Sequence, residues 1–226
     1  MRVLLISDIH GNIFGLKTVL KTVGKVDKII CAGDITGYYP FVNEVIKELK
    51  KRQVTTVKGN HDQYLLDGKA PEDKNDTIKQ SVQFVKKIIS KNNFDYIQSL
   101  PESINLNVDK RKVLVFHGSP WDFLEQRIYP DYQHFDRFKS VNADLVILGH
   151  THYPFTKNIG NLTVINPGSC GQPRDYNLLS CTVWDTKKNT FENRRLEWDI
   201  DGFKKAAIVK GVSENLFDVF KRAQKI

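Results

Sequence analysis

Cysteine is scarce in this sequence. Cys31, Cys170 and Cys181 are the only three in 226 residues, and no C-x-x-C pair occurs. An odd, widely spaced trio argues against a disulfide framework and against a cysteine zinc site. Cys31 and Cys181 fall inside strand-like runs and are expected to be small core residues. Long apolar runs are also lacking. No segment approaches the roughly 18 apolar residues that span a bilayer. The opening MRVLLISDIHGN meets an acid too early for a signal peptide. A cytoplasmic protein without membrane contact is expected. No low-complexity linker divides the chain, so residues 1–226 are expected to form a single domain.

Positive charge is in excess, with 34 Lys and Arg against 26 Asp and Glu and a net charge of +8. Such a balance admits nucleic acid as a partner without favouring it. The densest clusters, Lys50-Lys51-Arg52 and Lys110-Arg111-Lys112, each precede a strand-like run. They are therefore expected at the N-terminal edge of the strands, away from any site built at strand C-termini.

Apolar, β-branched runs recur at 3–6, 28–31, 54–57, 113–116, 145–148, 162–165 and 179–184. Their lengths suit strands buried on both faces. Helical spacing of Leu16, Val19, Leu20 and Val23, and of Phe41, Val42, Val45, Ile46 and Leu49, places helices over 13–23 and 41–51. The first third thus reads β-α-β-α-β, which implies parallel strands. Residues 67–77 read as a polar surface loop, 78–92 as a helix, 190–198 as an alternating strand, and 201–210 and 213–225 as helices. Two packed sheets with helices outside are expected.

Each leading strand runs into a residue able to hold a metal. The first ends at Asp8-Ile9-His10, the second at Gly33-Asp34, the third at Gly59-Asn60-His61-Asp62. A later strand ends at His117-Gly118, and another at Gly149-His150-Thr151-His152. Asp8, Asp34 and Asn60 are spaced 26 residues apart, one strand-helix unit per step. That spacing brings them to adjacent strand C-termini, where open α/β sheets place their ligands. In extended backbone i and i+2 point the same way, so Asp8 with His10, and His150 with His152, are expected to face one side. Taken singly, each motif has a structural reading: a helix cap, a turn acid, a packed histidine. Five of the six histidines fall in these clusters, however, and His134 alone lies outside. Seven donors of carboxylate, amide and imidazole type, with no thiolate, suit Mn²⁺, Fe, Zn²⁺, Co²⁺ or Ni²⁺. Seven are too many for one catalytic ion with an open position and suit two ions sharing a carboxylate.

With these motifs in this order, from residue 8 to residue 152, the sequence resembles the calcineurin-like metallophosphoesterases. The stretches S7-D-I-H-G-N, G33-D-I-T-G-Y-Y-P and N166-P-G-S169 with Q172-P-R174 resemble its small bacterial and archaeal phosphodiesterase and phosphatase branch. The resemblance implies a four-layer αββα sandwich of two mixed sheets flanked by helices. It implies two divalent ions, with manganese the expected metal. Asp8, His10, Asp34 and His152 would hold one ion, and Asp34, Asn60, His117 and His150 the other. His61 would stand by the leaving group as a proton donor or as a hydrogen-bond partner of the phosphate. The Ser/Thr protein phosphatases carry G-D-x-V-D-R-G, whose second Asp orients the catalytic histidine and whose Arg grips phosphate. Here Gly37 and Tyr38 stand in those places, and Arg174 is the candidate for the phosphate grip. Asp62 is a weaker candidate for orienting His61, because adjacent residues point apart.

The expected activity is metal-dependent hydrolysis of a small phosphomonoester or phosphodiester. A nuclease acting on an acidic polymer and a non-catalytic scaffold of the same fold are the alternatives.

Overall fold

A computed structural model describes residues 1–221. The leading elements follow their periodicity: β1 (Arg2–Ile6), α1 (Ile13–Val23), β2 (Lys28–Cys31), α2 (Val42–Lys51) and β3 (Thr55–Thr56). In α1 the apolar stripe Leu16, Val19, Leu20 and Val23 is buried. The Asn12 side chain caps the helix by accepting the Gly15 amide at 2.9 Å. Strands β1, β2 and β3 pair in parallel, with Leu5 opposite Ile30 and Ile30 opposite Thr55.

Downstream come α3 (Asn60–Asp67), α4 (Asp76–Ile88), α5 (Lys91–Ser99), β4 (Ser103–Val108), β5 (Arg111–Phe116) and β6 (Leu145–Ile147). They are followed by β7 (Phe155–Ile159), β8 (Leu162–Asn166), β9 (Leu179–Asp185), β10 (Thr190–Leu196) and α6 (Ile200–Val209). Short 3-10 helices occupy Phe135–Ser140 and Glu214–Lys221. The strands form two five-stranded mixed sheets, ordered β10-β9-β1-β2-β3 and β4-β5-β6-β8-β7.

Side-chain alternation along β1 fixes the layering. Val3 and Leu5 point between the sheets and meet Val113, Val115, Leu145, Ile147 and Ile165. Leu4 and Ile6 point outward, under the stripes of α1, α2 and α6. The outer face of the second sheet, with Val146, Leu148 and Val164, is covered by Phe135, Phe138 and their flanking loops. Helical layers thus flank two stacked sheets, the fold class expected from the sequence, with the fourth layer reduced to a 3-10 turn and loops.

Several elements differ from the sequence expectation. The stripe over 78–92 is two helices, because Asn43 on α2 reaches the break between them. Its amide donates to the Ile88 carbonyl at 2.8 Å and its oxygen accepts the Ser90 amide at 3.0 Å. Helices α3 and α5 and the edge strands β4 and β7 were not anticipated. The expected helix over 213–225 is a 3-10 helix over Glu214–Lys221, and its remaining residues, like the end of the expected domain, lie outside the described residues. No helix among the described residues is long and apolar enough to cross a membrane.

An aromatic cluster anchors the C-terminal elements on the first sheet's helices. Phe203 is fully buried and its ring touches Phe14, Tyr39, Phe41, Trp198 and Phe217. Phe203→Ala is expected to cost about 3–5 kcal/mol, read as a lower urea midpoint; a midpoint unchanged from the parent chain would show that this cluster does not anchor the segment.

Candidate metal centre

Asp8, His10, Asp34, Asn60, His61, His117, His150 and His152 converge at the C-terminal ends of β1, β2, β3, β5 and β6, as the spacing predicts. The basic clusters lie at the opposite ends, before β3 and at the β4–β5 hairpin, where the Met1 ammonium pairs with Asp109 at 2.9 Å. His134 sits elsewhere, exposed beside Tyr132.

One part of the expectation fails. The paired residues are not in extended backbone. Asp8, His10, Asp34, His150 and His152 all carry positive φ, between 49° and 67°. A left-handed conformation costs a non-glycine residue roughly 1–2 kcal/mol and persists only where the surroundings over-determine it. Here the β1–β2 pairing continues past the strand ends as loop-to-loop hydrogen bonds. The amides of Asp8, His10 and Gly11 donate to the carbonyls of Gly33, Asp34 and Ile35 at 3.0, 2.9 and 2.8 Å. The 149–152 turn is braced by Asn166, whose amide donates to the Gly149 carbonyl at 2.6 Å and to Thr151 Oγ1 at 3.0 Å. Ser169 donates to the Asp8 carbonyl at 2.7 Å. The N-P-G-S stretch thus holds both corners of the centre.

Two glycines admit no side chain. A Cβ at Gly37, whose φ is +114°, would lie 2.7 Å from His10 Nδ1 and 3.0 Å from His61 Nδ1. A Cβ at Gly59 would lie 2.1 Å from Asp34 Oδ1.

Backbone carbonyls set the histidine tautomers. His10 Nδ1 donates to the Thr36 carbonyl at 2.9 Å, His117 Nδ1 to Ala32 at 2.7 Å and His152 Nδ1 to Gln172 at 2.5 Å. Each Nε2 is thereby turned to the centre. His152 Nε2 lies 3.3 Å from Asp8 Oδ1 and 3.2 Å from His10 Nε2. His10 Nε2 and His117 Nε2 lie 3.6 and 3.4 Å from Asp34 Oδ2. His117 Nε2 is also 3.0 Å from Asn60 Oδ1, and the Asn60 amide donates to the Tyr64 hydroxyl at 3.1 Å, which fixes its oxygen inward. The His150 ring packs on His117 with centroids 5.1 Å apart. His152 thus lies beside Asp8 and His10, and His150 beside His117.

The buried Asp8 oxygens and His150 Nε2 have no hydrogen-bond partner among the described residues. Converging lone pairs without donors are unfavourable unless a cation sits among them. Three trios have ligand atoms within 4.8 Å of one another: Asp8, His10 and His152; His10, Asp34 and His61; Asp8, Asp34 and His117. The donor chemistry fits a divalent first-row ion.

Protons occupy the centre otherwise. Burial lifts the Asp8 carboxyl to about 7. Burial alone would push His117 down, but the Asp34 carboxylate reverses this and raises it to about 9. Burial would raise Asp34, but the charge and hydrogen bond of His117, together with His61 and His10, hold it well below the usual carboxylate range. Burial keeps His10, His150 and His152 neutral and pushes His61 down to about 4. The raised groups keep protons that a metal must displace. Apparent affinity for an ion bound by His117 should therefore rise roughly tenfold per pH unit between pH 7 and pH 9, as that one proton is released. Competition with a chromophoric chelator reads this; a flat profile over that range would contradict it.

Asp62 does not orient His61. Its carboxylate accepts the amides of Ile35, Thr36 and Gly59 at 3.2, 2.8 and 3.0 Å. It ties the Asp34 loop to the start of α3, and the Thr36 carbonyl in turn holds His10.

Above the centre opens a cavity of about 460 Å³, with Asp34, Asn60, His61, His150 and His152 on its floor. Lys74, Arg127 and Arg174 supply positive charge to its walls, where Asp218 also lies and Lys74 pairs with Glu125 at 3.1 Å. Arg174 donates to Gln172 Oε1 at 3.1 Å and to the Tyr38 hydroxyl at 3.4 Å, and pairs with no carboxylate among the described residues. Lys74 and Thr77 belong to the segment expected to be only a surface loop. Asn215, Leu216 and Val219 come from the C-terminal 3-10 helix. Nothing in the local pattern marks these wall residues, because long-range packing alone delivers them.

Residues 1–189 match the model of the calcineurin-like phosphoesterase superfamily domain. An uncharacterized protein of Methanocaldococcus jannaschii is 34% identical over 218 residues, covering 86% of this chain and 87% of the relative. A phosphodiesterase of the same organism is 25% identical over 172 residues, 75% of this chain and 84% of that one. The crystal structure of a metallophosphoesterase from Sphaerobacter thermophilus superposes with a TM-score of 0.85 at 26% identity, covering 98% of both chains.

Proposed function

Because the chain belongs to the calcineurin-like phosphoesterase superfamily, we propose that it hydrolyses a phosphomonoester or phosphodiester using two divalent metal ions. The observation that carries this reading is the partnerless Asp8 carboxylate among inward-turned imidazole Nε2 atoms, directly beneath a cationic cavity. Asp8, His10, Asp34 and His152 hold one ion. Asp34, Asn60, His117 and His150 would hold the other, so that Asp34 would serve both. When bound, the ions supply Lewis acidity, water activation and neutralisation of phosphate charge.

The chain's own groups do the rest. Asn60 and His61 on the cavity floor position a phosphate oxygen. Arg174, with no carboxylate partner among the described residues, offers its fork to a second oxygen. His61 is neutral at pH 7 because of its burial, so it gives an N–H hydrogen bond to the leaving oxygen. Transfer of the proton itself requires the negative charge of bound phosphate to raise its basicity.

A nuclease is less well supported, since the basic clusters lie at the far strand edge. A non-catalytic scaffold is less well supported, since every donor named from the sequence reaches the centre. The test is a loading screen with Mn²⁺, Fe²⁺, Zn²⁺, Co²⁺ and Ni²⁺ against p-nitrophenyl phosphate and bis-p-nitrophenyl phosphate. Metal-dependent release of p-nitrophenol, strongest with Mn²⁺, is expected. Retention of no divalent ion, or no turnover of either ester with any ion, would sink the proposal.

A further inference from the structure

The cavity over the centre has an annex. A second, smaller cavity of about 170 Å³ opens beside it, and the two share Tyr38, Thr77, Asn215 and Leu216 as common walls. The two chambers differ in chemistry. The larger carries Lys74, Arg127 and Arg174 above the metal ligands. The annex has no charged residue in its lining among the described residues. Its body is Tyr38, Phe84, Val212 and Leu216, and its rim includes the side chains of Gln80 and Asn215.

Tyr38 is the partition. Its ring lies 4.8 Å, centroid to centroid, from both His10 and His61. Its hydroxyl accepts from Arg174. One residue therefore touches the metal ligands, the candidate phosphate grip and the apolar annex together. One wall of the annex lies beyond the family match, while Tyr38, Thr77, Gln80, Ser81 and Phe84 lie within it. Gly211, Val212, Asn215 and Leu216 follow residue 189, where the family match ends. The C-terminal segment that Phe203 and Phe217 anchor on Tyr39 supplies this wall, which makes it a feature for discriminating substrates.

A charged chamber joined to an uncharged one suits a ligand with the same two halves. Aromatic walls favour a flat group, and a rim with amide and hydroxyl groups satisfies ring heteroatoms that an aliphatic chain lacks. At about 170 Å³ the annex has room for one ring system. Resting on the phosphoesterase reading above, we propose that the substrate is a small phosphoester with one flat heterocyclic group, of the nucleoside type, and that this group lodges in the Tyr38–Phe84–Leu216 annex.

The test holds leaving group and phosphate constant and changes only the retained group. The metal-loaded full chain is assayed with the p-nitrophenyl phosphodiesters of methanol, hexanol and thymidine (through its 5′-oxygen). The thymidine ester should exceed the methyl ester in kcat/KM by at least tenfold, with the hexyl ester well below it. Filling the annex from either wall, with Ser213→Trp or Gln80→Trp at exposed positions, should bring the thymidine-to-methyl ratio to within twofold of one. A ratio near one in the parent chain, a ratio unchanged in both folded variants, or a hexyl ester equal to thymidine would each overturn the assignment. Calorimetric binding of thymidine 5′-monophosphate and methyl phosphate to the same protein separates the two claims. Tenfold tighter nucleotide binding, lost in the variants, with no ester turned over, would leave the annex standing and remove the hydrolase. Equal binding of both phosphates would remove the annex whatever the turnover.

Discussion

Asp34→Asn should lower kcat/KM for bis-p-nitrophenyl phosphate by roughly 10³-fold, equivalent to about 4 kcal/mol. The substitution keeps shape and removes charge. Asp34 reaches toward both halves of the centre, with Oδ2 at 3.6 Å from His10 and 3.4 Å from His117. Its Oδ1 accepts the His61 amide at 2.9 Å. An asparagine oxygen can keep that last bond, so α3 should stay in place. The losses fall elsewhere. The negative charge that raises His117 disappears, and so does the shared donor of the proposed ion pair. Metal content after gel filtration, measured by mass spectrometry, should drop together with activity, while the thermal midpoint of the metal-free protein changes little. A variant retaining full metal and activity within tenfold of the parent would show that Asp34 is not the shared ligand.

Gly37→Asp should also inactivate, although it restores the acid that the Ser/Thr protein phosphatases carry at this place. Their second Asp stands beside the catalytic histidine. Here the backbone at residue 37 takes that space itself, with φ at +114° and no room for a Cβ against the His10 and His61 rings. The substitution must move one imidazole or the loop between Asp34 and Tyr38. Strained backbone of this kind costs about 1–3 kcal/mol, before the overlap with two rings is counted. Activity should fall about 100-fold or more, as expected when reacting groups are displaced by an ångström. The urea midpoint should fall as well. Gly37→Ala carries the same Cβ without the charge and should reproduce most of the loss; an active, fully stable alanine variant would refute the steric account.

The site was largely legible in the sequence because of how parallel strands work. Each strand must end on the same edge, so a polar residue just after an apolar run is already placed relative to the others. Asp8, Asp34, Asn60, His117 and His150 could be grouped on that rule alone. The way each pair converges could not. Extended geometry was the natural inference for Asp8 with His10, whereas the chain uses left-handed turns held by hydrogen bonds from residues 33–35, 166 and 169. Such bonds join segments remote in sequence and leave no local trace. The same holds for the break before Ser90, where the deciding contact comes from Asn43 on another helix. Strands β4 and β7 were overlooked for a different reason. They are sheet edges with polar residues on the exposed face, so their apolar signal is half that of a central strand. Helix α3 was masked by its own site residues: Asn60, His61 and Asp62 drew attention to chemistry, and Tyr64 and Leu65, which bury the helix, are too few to show a period.

The left-handed ligands have an evolutionary corollary. At positions 8, 10, 34, 150 and 152, glycine is conformationally the better residue. Exchange at any one of them relieves backbone strain while deleting a donor. The strain relieved, about 1–2 kcal/mol, offsets part of the packing lost with the buried side chain. A lineage released from selection on this centre would be expected to lose its donors one by one while the two sheets stay intact.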